Sequence, residues 1–553
     1  MAQRFPRLFI VLLAVVFALN LVQASITELI YDEAYYWYYA QELAWGYFDH
    51  PPMVAFLIAM GSWFFQGELG VRFMSTLLSV GTYVLLWLLV DNPRKREYVL
   101  HFFLLVFSFT LLNAYGFLTL PDTPLLFFTA LFLWLYKRFL QRPALGTSLL
   151  LGVVMACLMY SKYHAVLVIL FVILSNLRLL RDKKAWLAVI VALICYLPHL
   201  IWLQQNDFAP LNFHLSERPN QAYSFEKFTL GYFLNLVAII GLLFYWVYAS
   251  LFKFRAKDLF SKALLYLVYG VILFFFISSF SRRVQAQWAI VISIPLIVIA
   301  FGHLLENAKA CKWMYRAGWI SLILMIYARA WLVHYPLFPM IYETHGNKAW
   351  ANALHTEAGD VPVVFENSYR LAPKYEFYSG VPAMSLNNYM YRKNQYSIDG
   401  SEEKFRGKRV AYVTSYRESG DFSYTNLGGT VHYGVFIDNF QSYRRLECLV
   451  EKPETGILHR LKVYNPYPFE IALGDLKYTI SYSNAYKQVK ETLPLKLTMA
   501  PGQSQFLQPR DTAYYTFDLP LPSQVGKSVY FRIGISEHGL PPGLNGTPLK
   551  IHE

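Results

Sequence analysis

Asp32-Glu33-Ala34-Tyr35-Tyr36-Trp37, followed by Gly46-Tyr47-Phe48-Asp49-His50-Pro51-Pro52, lies between the first two membrane-length apolar runs of a 553-residue chain. Residues 26–68 hold six carboxylates (Glu28, Asp32, Glu33, Glu42, Asp49 and Glu68) and no Lys or Arg. A plain connecting loop needs neither adjacent carboxylates, nor an aromatic helix, nor a rigid Pro-Pro turn. A site working at a membrane surface uses all three.

The chain around this stretch is 56% hydrophobic, 18% aromatic and only 15% charged. That composition excludes an ordinary soluble globule. Repeated apolar runs fill residues 1–340 and read as transmembrane helices. The predicted spans are 8–22, 69–90, 98–115, 124–140, 145–160, 163–177, 186–202, 229–251, 263–280, 287–305 and 315–333. Residues 53–66 are too short to span comfortably and follow Pro51-Pro52, so they are read as an interfacial helix. Arg4 to Ala24 is read as an uncleaved first span, with a cleaved signal peptide as the alternative.

Charge sets the topology. Read as two spans, 145–177 leaves nineteen Lys and Arg in the inside segments, from Arg4 and Arg7 to Lys309, Lys312 and Arg316. The short outside segments hold six: Arg72, Lys162, Arg218, Lys227, Arg282 and Arg283. A single fused helix would invert everything downstream and destroy this bias. The N-terminus is therefore expected inside and the polar C-terminal region outside. The net charge of +13 is accounted for by these loops, and nucleic acid is not an expected partner.

The polar remainder divides in two. Residues 341–440 mix strand-like runs (361–365, 409–414) with a helical stretch near 371–378 and are read as a small α/β module. Residues 441–553 carry strand runs at 461–464, 477–482, 513–517 and 528–533 between Pro, Gly and Asn turns, the pattern of a β-sandwich. The expected fold class is a polytopic α-helical membrane protein of about eleven spans with an extracytoplasmic α/β plus β-sandwich region. The four cysteines suggest neither a disulfide nor a zinc site. Asn545-Gly546-Thr547 fits a glycosylation acceptor triplet.

Under this topology Asp32, Glu33, Asp49 and His50 share the outer face with several other groups. These are Asp122 in Pro121-Asp122-Thr123-Pro124, Lys162 in the Ser161-Lys162-Tyr163 hairpin, His199, Asn206, Asp207, His214, Arg218, Arg282, Arg283 and Gln287. Ionisable groups at membrane depth are costly and tend to be functional. Each also has a plainer reading. Asp32 and Asp122 suit helix starts, Lys162 suits a snorkelling helix end, and Arg282-Arg283 suits an ordinary loop. The Tyr and Trp residues around Asp32 suit interfacial anchors.

Taken together, the Asp32-Glu33-Ala34 pair, the Gly46–Pro52 turn, Pro121–Pro124 and Ser161–Tyr163 resemble the GT-C membrane glycosyltransferases. The nearest branch holds the bacterial relatives of protein O-mannosyltransferases and of lipid A aminoarabinose transferases (glycosyltransferase 39/83-like). Pro198–Trp202 with Asn206–Phe208, and Gln285–Trp288, resemble the same branch. The resemblance covers residues 1–340 and implies transfer of a sugar from a polyprenyl-phosphate donor to a glycolipid, glycan or protein acceptor in the bacterial inner membrane.

It further implies Asp32 as the catalytic base, with Glu33 beside it and Asp122 as the acid opening the fourth span. Lys162 matches a phosphate-contacting lysine, and Arg282 or Arg283 would be a further phosphate ligand by position. His50 stands where the aminoarabinose transferases carry a phosphate-contacting lysine, a departure that matters because an unperturbed His is mostly neutral at pH 7. Some relatives bind a divalent metal near the loop acids. Asp49 and His50 are the candidate ligands here, two being too few to define a site. A departing phosphate is already anionic, so the chemistry needs a base for the acceptor hydroxyl and fixed cations for the phosphate. The competing classes are a multi-span lipid or glycan flippase and a non-catalytic envelope assembly subunit.

Overall fold

A computed structural model describes residues 5–218, 220–451, 458–523 and 528–551. Arg4, one of the expected inside charges, lies outside the described residues. The chain forms two compact units, one of residues 1–205 with 223–345 and one of residues 206–222 with 346–553.

The first unit is helical. Its elements are α1 (Arg7–Ile26), α2 (Tyr31–Gln41), α3 (Met53–Ser62), α4 (Gly67–Leu89), α5 (Val99–Phe107), α6 (Thr110–Ala114), α7 (Asp122–Gln141), α8 (Leu145–Ser161), α9 (Ala165–Ser175) and α10 (Lys183–Gln205). After α11 (Ala209–Asn212), which belongs to the second unit, come α12 (Gly231–Ile240), α13 (Phe244–Lys253), α14 (Leu259–Ser278), α15 (Ser293–Glu306) and α16 (Ala308–Val333). Among the described residues, seven helical segments are long and apolar enough to cross a membrane, and shorter apolar helices accompany them. Apolar side chains that no soluble protein would leave in water line the outer helices: Ile194 on α10 is 64% exposed and Ile323 on α16 is 66% exposed. Such a surface is stable against lipid, and the chain is a multi-pass membrane protein.

Side-chain contacts show which ends of the helices lie together. At one end Lys95 donates to the Trp87 and Val90 carbonyls, Lys137 to the Leu89 carbonyl, Arg94 to the Leu305 carbonyl and Lys184 to the Pro143 carbonyl. The ammonium and guanidinium groups thus satisfy the last carbonyls of α4 and α15, which have no partner within their own helix. At the other end lie the start of α4, the start of α7 and the end of α8. The Thr119 hydroxyl donates to the Val71 carbonyl at 2.9 Å, and Lys162 meets Asp122.

The stretch 145–177 forms two helices that run in opposite directions. Lys162, after α8, sits beside the first residue of α7, whereas Ser175 and Asn176, at the end of α9, sit beside the hydroxyl of Tyr136 near its last turn. The charge argument required this reversal. Two of the expected spans are broken instead of continuous. The run 98–115 breaks between α5 and α6, and 229–251 breaks between α12 and α13, where Gly241 has φ +76°. A Cβ at Gly241 would lie 2.5 Å from the Thr110 hydroxyl, so the two breaks face each other. Periodicity could not show this, because both segments are apolar throughout.

The second unit carries all the strands. β1 (Val363–Glu366), β2 (Ala383–Leu386), β3 (Val410–Thr414), β4 (Phe422–Thr425) and β5 (Val431–Ile437) form one sheet in the order β2-β1-β3-β5-β4. β1 pairs in parallel with β2 and β3, and β5 runs antiparallel to β3 and β4. α17 (Asn347–Ala358) precedes this sheet, and α18 (Leu371–Ser379) makes the β1-to-β2 crossover. β1, β3 and α18 fall where strand and helix runs were expected, whereas α17, β2, β4 and β5 were not expected.

β6 (Glu447–Glu451) and β7 (His459–Tyr464) follow, then the short β8 (Ile471–Ala472) and the long β9 (Leu476–Ser483). β10 (Val489–Pro494), β11 (Thr498–Met499), β12 (Phe506–Leu507), β13 (Thr512–Phe517), β14 (Tyr530–Glu537) and β15 (Leu549–Lys550) complete the unit. The sheets β10-β9-β14-β15 and β11-β13-β7-β6 share one core, in which Leu461, Val463 and Phe517 pack with Ile480, Tyr482 and Ile533. Alternating burial along β13 turns Ala513, Tyr515 and Phe517 inward, the period-2 pattern of a sandwich strand. Asn545 of the glycosylation triplet is buried between these sheets. Its amide donates to the Leu446 carbonyl at 3.0 Å and its carbonyl accepts from Ile535 N–H at 2.9 Å, so the folded chain offers no glycan acceptor there.

Candidate active site

Two adjacent acids in α2 have opposite surroundings. α2 begins at Tyr31, and both Asp32 and Glu33 lie in its first turn, where the helix dipole favours ionised carboxylates. The Glu33 side chain is fully buried against the fully buried Arg72 of α4, with Nε–Oε1 at 2.7 Å and Nη2–Oε2 at 2.5 Å. Thr119 N–H donates to the same carboxylate at 2.8 Å and Ile30 N–H at 3.2 Å. Arg72 spends its other donors on the carbonyls of Ala24, Thr27 and Glu28. Glu33 therefore ties the end of α1, the start of α4 and the 115–121 loop to one point. Asp32, one residue earlier, is only half-buried.

Asp122 is the first residue of α7, set there by Pro121. It is 3% exposed and forms a bidentate pair with Lys162, at 2.8 and 3.0 Å. Lys162 leaves α8 in an extended conformation (φ −165°, ψ 142°), which turns its side chain back toward the start of α7. Asp122 and Asp32 both lie within electrostatic range of the Tyr115 hydroxyl.

The Gly46–Pro52 turn completes this end. Tyr47 N–H donates to the His50 carbonyl at 3.2 Å, closing the turn, and the Tyr35 hydroxyl donates to Asp49 Oδ2 at 3.1 Å. His50 packs edge-on against Tyr36, with ring centroids 5.6 Å apart. Tyr39 stacks on Tyr47 at 4.2 Å. The aromatic residues of α2 thus hold the turn, beyond any anchoring role. Asp49 also acts electrostatically on Tyr163, the residue after Lys162. From α10, the fully buried His199 accepts or donates at both ring nitrogens: Nδ1 lies 2.7 Å from the Trp45 carbonyl and Nε2 lies 3.2 Å from the Tyr163 hydroxyl. A carbonyl only accepts, so Nδ1 carries a proton.

The structure thus brings Asp32, Asp122, Lys162 and Asp49 into one polar cluster at one end of the helices, with His50 on its turn. Arg282 and Arg283 are exposed on the loop after α14. No ion pair ties either to the acids among the described residues. The stacking of His164 on Trp288 at 5.4 Å keeps the segment after them beside the Lys162 hairpin. Among the described residues no group of three or more His, Cys, Asp or Glu side chains is placed to hold a metal ion. Asp49 and His50 do not make up a metal site by themselves.

Reasoning from sequence placed Arg72 and Tyr163 on the outer side but gave neither a role, and it did not single out Tyr115 or Trp45. Arg72 carried a usable signal: it is a lone cation just inside an apolar run, next to a loop of six acids. α3 lies where an interfacial helix was expected. It ends in Trp63 and Phe64, 76% and 64% exposed, as anchors in a headgroup layer would be.

Residues 49–202 match the sequence profile of the dolichyl-phosphate-mannose-protein mannosyltransferase family. The lipid A galacturonosyltransferase RgtD of Rhizobium johnstonii is 24% identical over 304 residues, covering 50% of this chain and 60% of that protein. The lipopolysaccharide core galacturonosyltransferase RgtA of the same organism is 29% identical over 226 residues, covering 35% of this chain and 41% of that protein. The chain thus spans about half the length of these curated relatives. Among solved structures, ArnT from Cupriavidus metallidurans in the apo state aligns with 74% of this chain and 92% of its own, at a TM-score of 0.51 and 16% identity. In its matched segment and in its fold, the chain is similar to membrane glycosyltransferases of the GT-C type.

Proposed function

We propose that the protein transfers a sugar from a polyprenyl-phosphate donor to an acceptor hydroxyl, with Asp32 as the general base. The observation that carries this reading is the contrast between the adjacent acids: Glu33 is fully buried against Arg72, whereas Asp32 is half-buried, and Asp122 is paired with Lys162. Asp32 takes the proton of the acceptor hydroxyl as its oxygen bonds to the anomeric carbon. The bond from that carbon to the phosphate oxygen breaks, and the electron pair leaves with the phosphate. Displacement from the opposite face inverts the anomeric centre. Lys162, oriented by Asp122, supplies positive charge to the departing phosphate, and Arg282 and Arg283 reach the same group from the neighbouring loop.

In this reading the eleven expected spans all cross the bilayer and alternate in direction. The lysine-rich end is cytoplasmic and the acidic end faces outward, as the charge bias requires. The membrane is the bacterial inner membrane. The names of the two curated relatives make lipid A and lipopolysaccharide core the first acceptors to assay, and a polyprenyl-phosphate galacturonosyl donor the first donor.

The test is transfer from a radiolabelled polyprenyl-phosphate sugar in membranes. Asp32→Asn is expected to abolish product while expression and membrane insertion persist. Wild-type rates in that variant would remove Asp32 from the chemistry.

A further inference from the structure

The second unit contains a cavity of about 530 Å³ between the β9–β10 hairpin, the segment 389–393 and the segment 213–217. Its volume is that of a small-molecule site, on the order of 300–1,000 Å³, and far exceeds a single phosphate. Five cations line it, Arg392, Lys393, Lys487, Lys490 and Arg532, against two acids, Glu217 and Glu491.

The two acids offset only part of this charge. Glu491 accepts from Ser523 N–H and hydroxyl at 2.8 and 3.0 Å. Glu217 stands 3.6 Å from Arg532, too far for a hydrogen bond, and the buried Nε of Arg532 has no hydrogen-bond partner among the described residues. Burial, with the neighbouring charge of Arg532, lowers the pKa of both Lys393 and Lys487, while Glu217 pulls the other way. A group of like charges partly withdrawn from solvent, with an unspent guanidinium donor, is stabilised by an anion. The remaining lining suits a saccharide. Tyr389 and Tyr391 offer ring faces, and Ser481, Ser483, Gln488 and Thr492 offer hydroxyl and amide groups.

We propose that this cavity binds the anionic saccharide portion of the acceptor, a short sugar chain bearing phosphate groups. The assignment of the saccharide to the acceptor rests on the transferase reading above. The binding itself does not.

The experiment uses the full-length protein in detergent micelles, with the Asp32→Asn background as a second sample. The probe is a deacylated, phosphorylated core oligosaccharide, compared with its enzymatically dephosphorylated form, inorganic phosphate and hexaglutamate. The phosphorylated oligosaccharide is expected to bind at least tenfold more tightly than the other three, in both backgrounds, and to weaken as salt rises. Lys487→Ala/Lys490→Ala, on the partly exposed rim, is expected to weaken it at least tenfold. Lys393→Ala provides an independent variant from another segment.

Equal affinity for the dephosphorylated form overturns the proposal, as does unchanged affinity in both variants. Equal binding of inorganic phosphate would reduce the cavity to an anion hole, and equal binding of hexaglutamate would make it an acidic-peptide site. Either result refutes the saccharide assignment. Binding as expected in a protein without transferase activity leaves the cavity assigned and overturns the function proposed above. Transfer with an acceptor KM unaffected by the rim variants overturns the cavity alone.

Discussion

Replacing Glu33 by Gln separates two explanations for the adjacent acids. The substitution keeps the shape and an acceptor oxygen for Thr119 N–H, but it removes the charge that answers a fully buried guanidinium. Arg72 then faces an amide where it had two charge-assisted bonds of 2.7 and 2.5 Å. Breaking a buried pair from one side costs about 3–5 kcal/mol, because the remaining charge is left uncompensated. The loss is expected as a lower apparent unfolding temperature in detergent and a smaller folded fraction, with transfer per folded molecule retained. Removing both charges, in Glu33→Gln/Arg72→Met, is expected to cost less than the sum of the two single changes, since the uncompensated charge disappears. Asp32→Asn should show the reverse pattern, with stability kept and transfer gone. If Glu33→Gln unfolds like the wild type yet fails to transfer, the buried carboxylate is part of the chemistry and the division of labour proposed for α2 is wrong.

Three further outcomes are expected. Gly46→Ala would place a methyl 2.2 Å from the Trp202 ring. It should cost about 1–3 kcal/mol as an overpacked contact and raise the donor KM by loosening the turn that Trp45 and His199 hold, measured by unfolding and initial rates. Asn545→Ala should leave Ile535 N–H and the Leu446 carbonyl without their buried partner. A loss of about 1–3 kcal/mol is expected, with no change in glycan content by mass spectrometry.

The third concerns pH. Burial lifts the Glu537 carboxyl from 4.5 to about 7, partly opposed by Arg444. The folded chain therefore holds this proton longer than the unfolded one. Its contribution is fully present below about pH 4.5 and is lost as pH rises through about 7, in total about 3 kcal/mol. The second unit should unfold at a higher temperature at pH 6 than at pH 8, and Glu537→Gln should flatten that difference.

Much of the membrane unit was legible before folding. Length of apolar run, spacing of Lys and Arg, and the Pro residues at 51–52 and 121 act locally. They therefore marked the start of α7, the Lys162 reversal and the short helix after Pro51-Pro52. Six strands of the second unit, β1, β3, β7, β9, β13 and β14, were legible for the same reason, since alternation along 513–517 is a property of the strand itself. The breaks at Ser108–Phe109 and at Gly241 were not, because a break inside a wholly apolar run is set by the helix packed beside it.

The site divides along the same line. Sequence by itself marked Asp32, Glu33, Asp49, His50, Asp122 and Lys162 as expensive groups at one membrane face, because the cost of a charge near lipid depends on little else. Which of those charges are already answered was decided only by the tertiary structure. A salt bridge depends on where a second helix puts its side chain, and Arg72 reaches Glu33 from 39 residues away while Lys162 reaches Asp122 from 40. Those two pairings are invisible in the linear order, and the first of them buries Glu33 while Asp32 beside it stays half-buried.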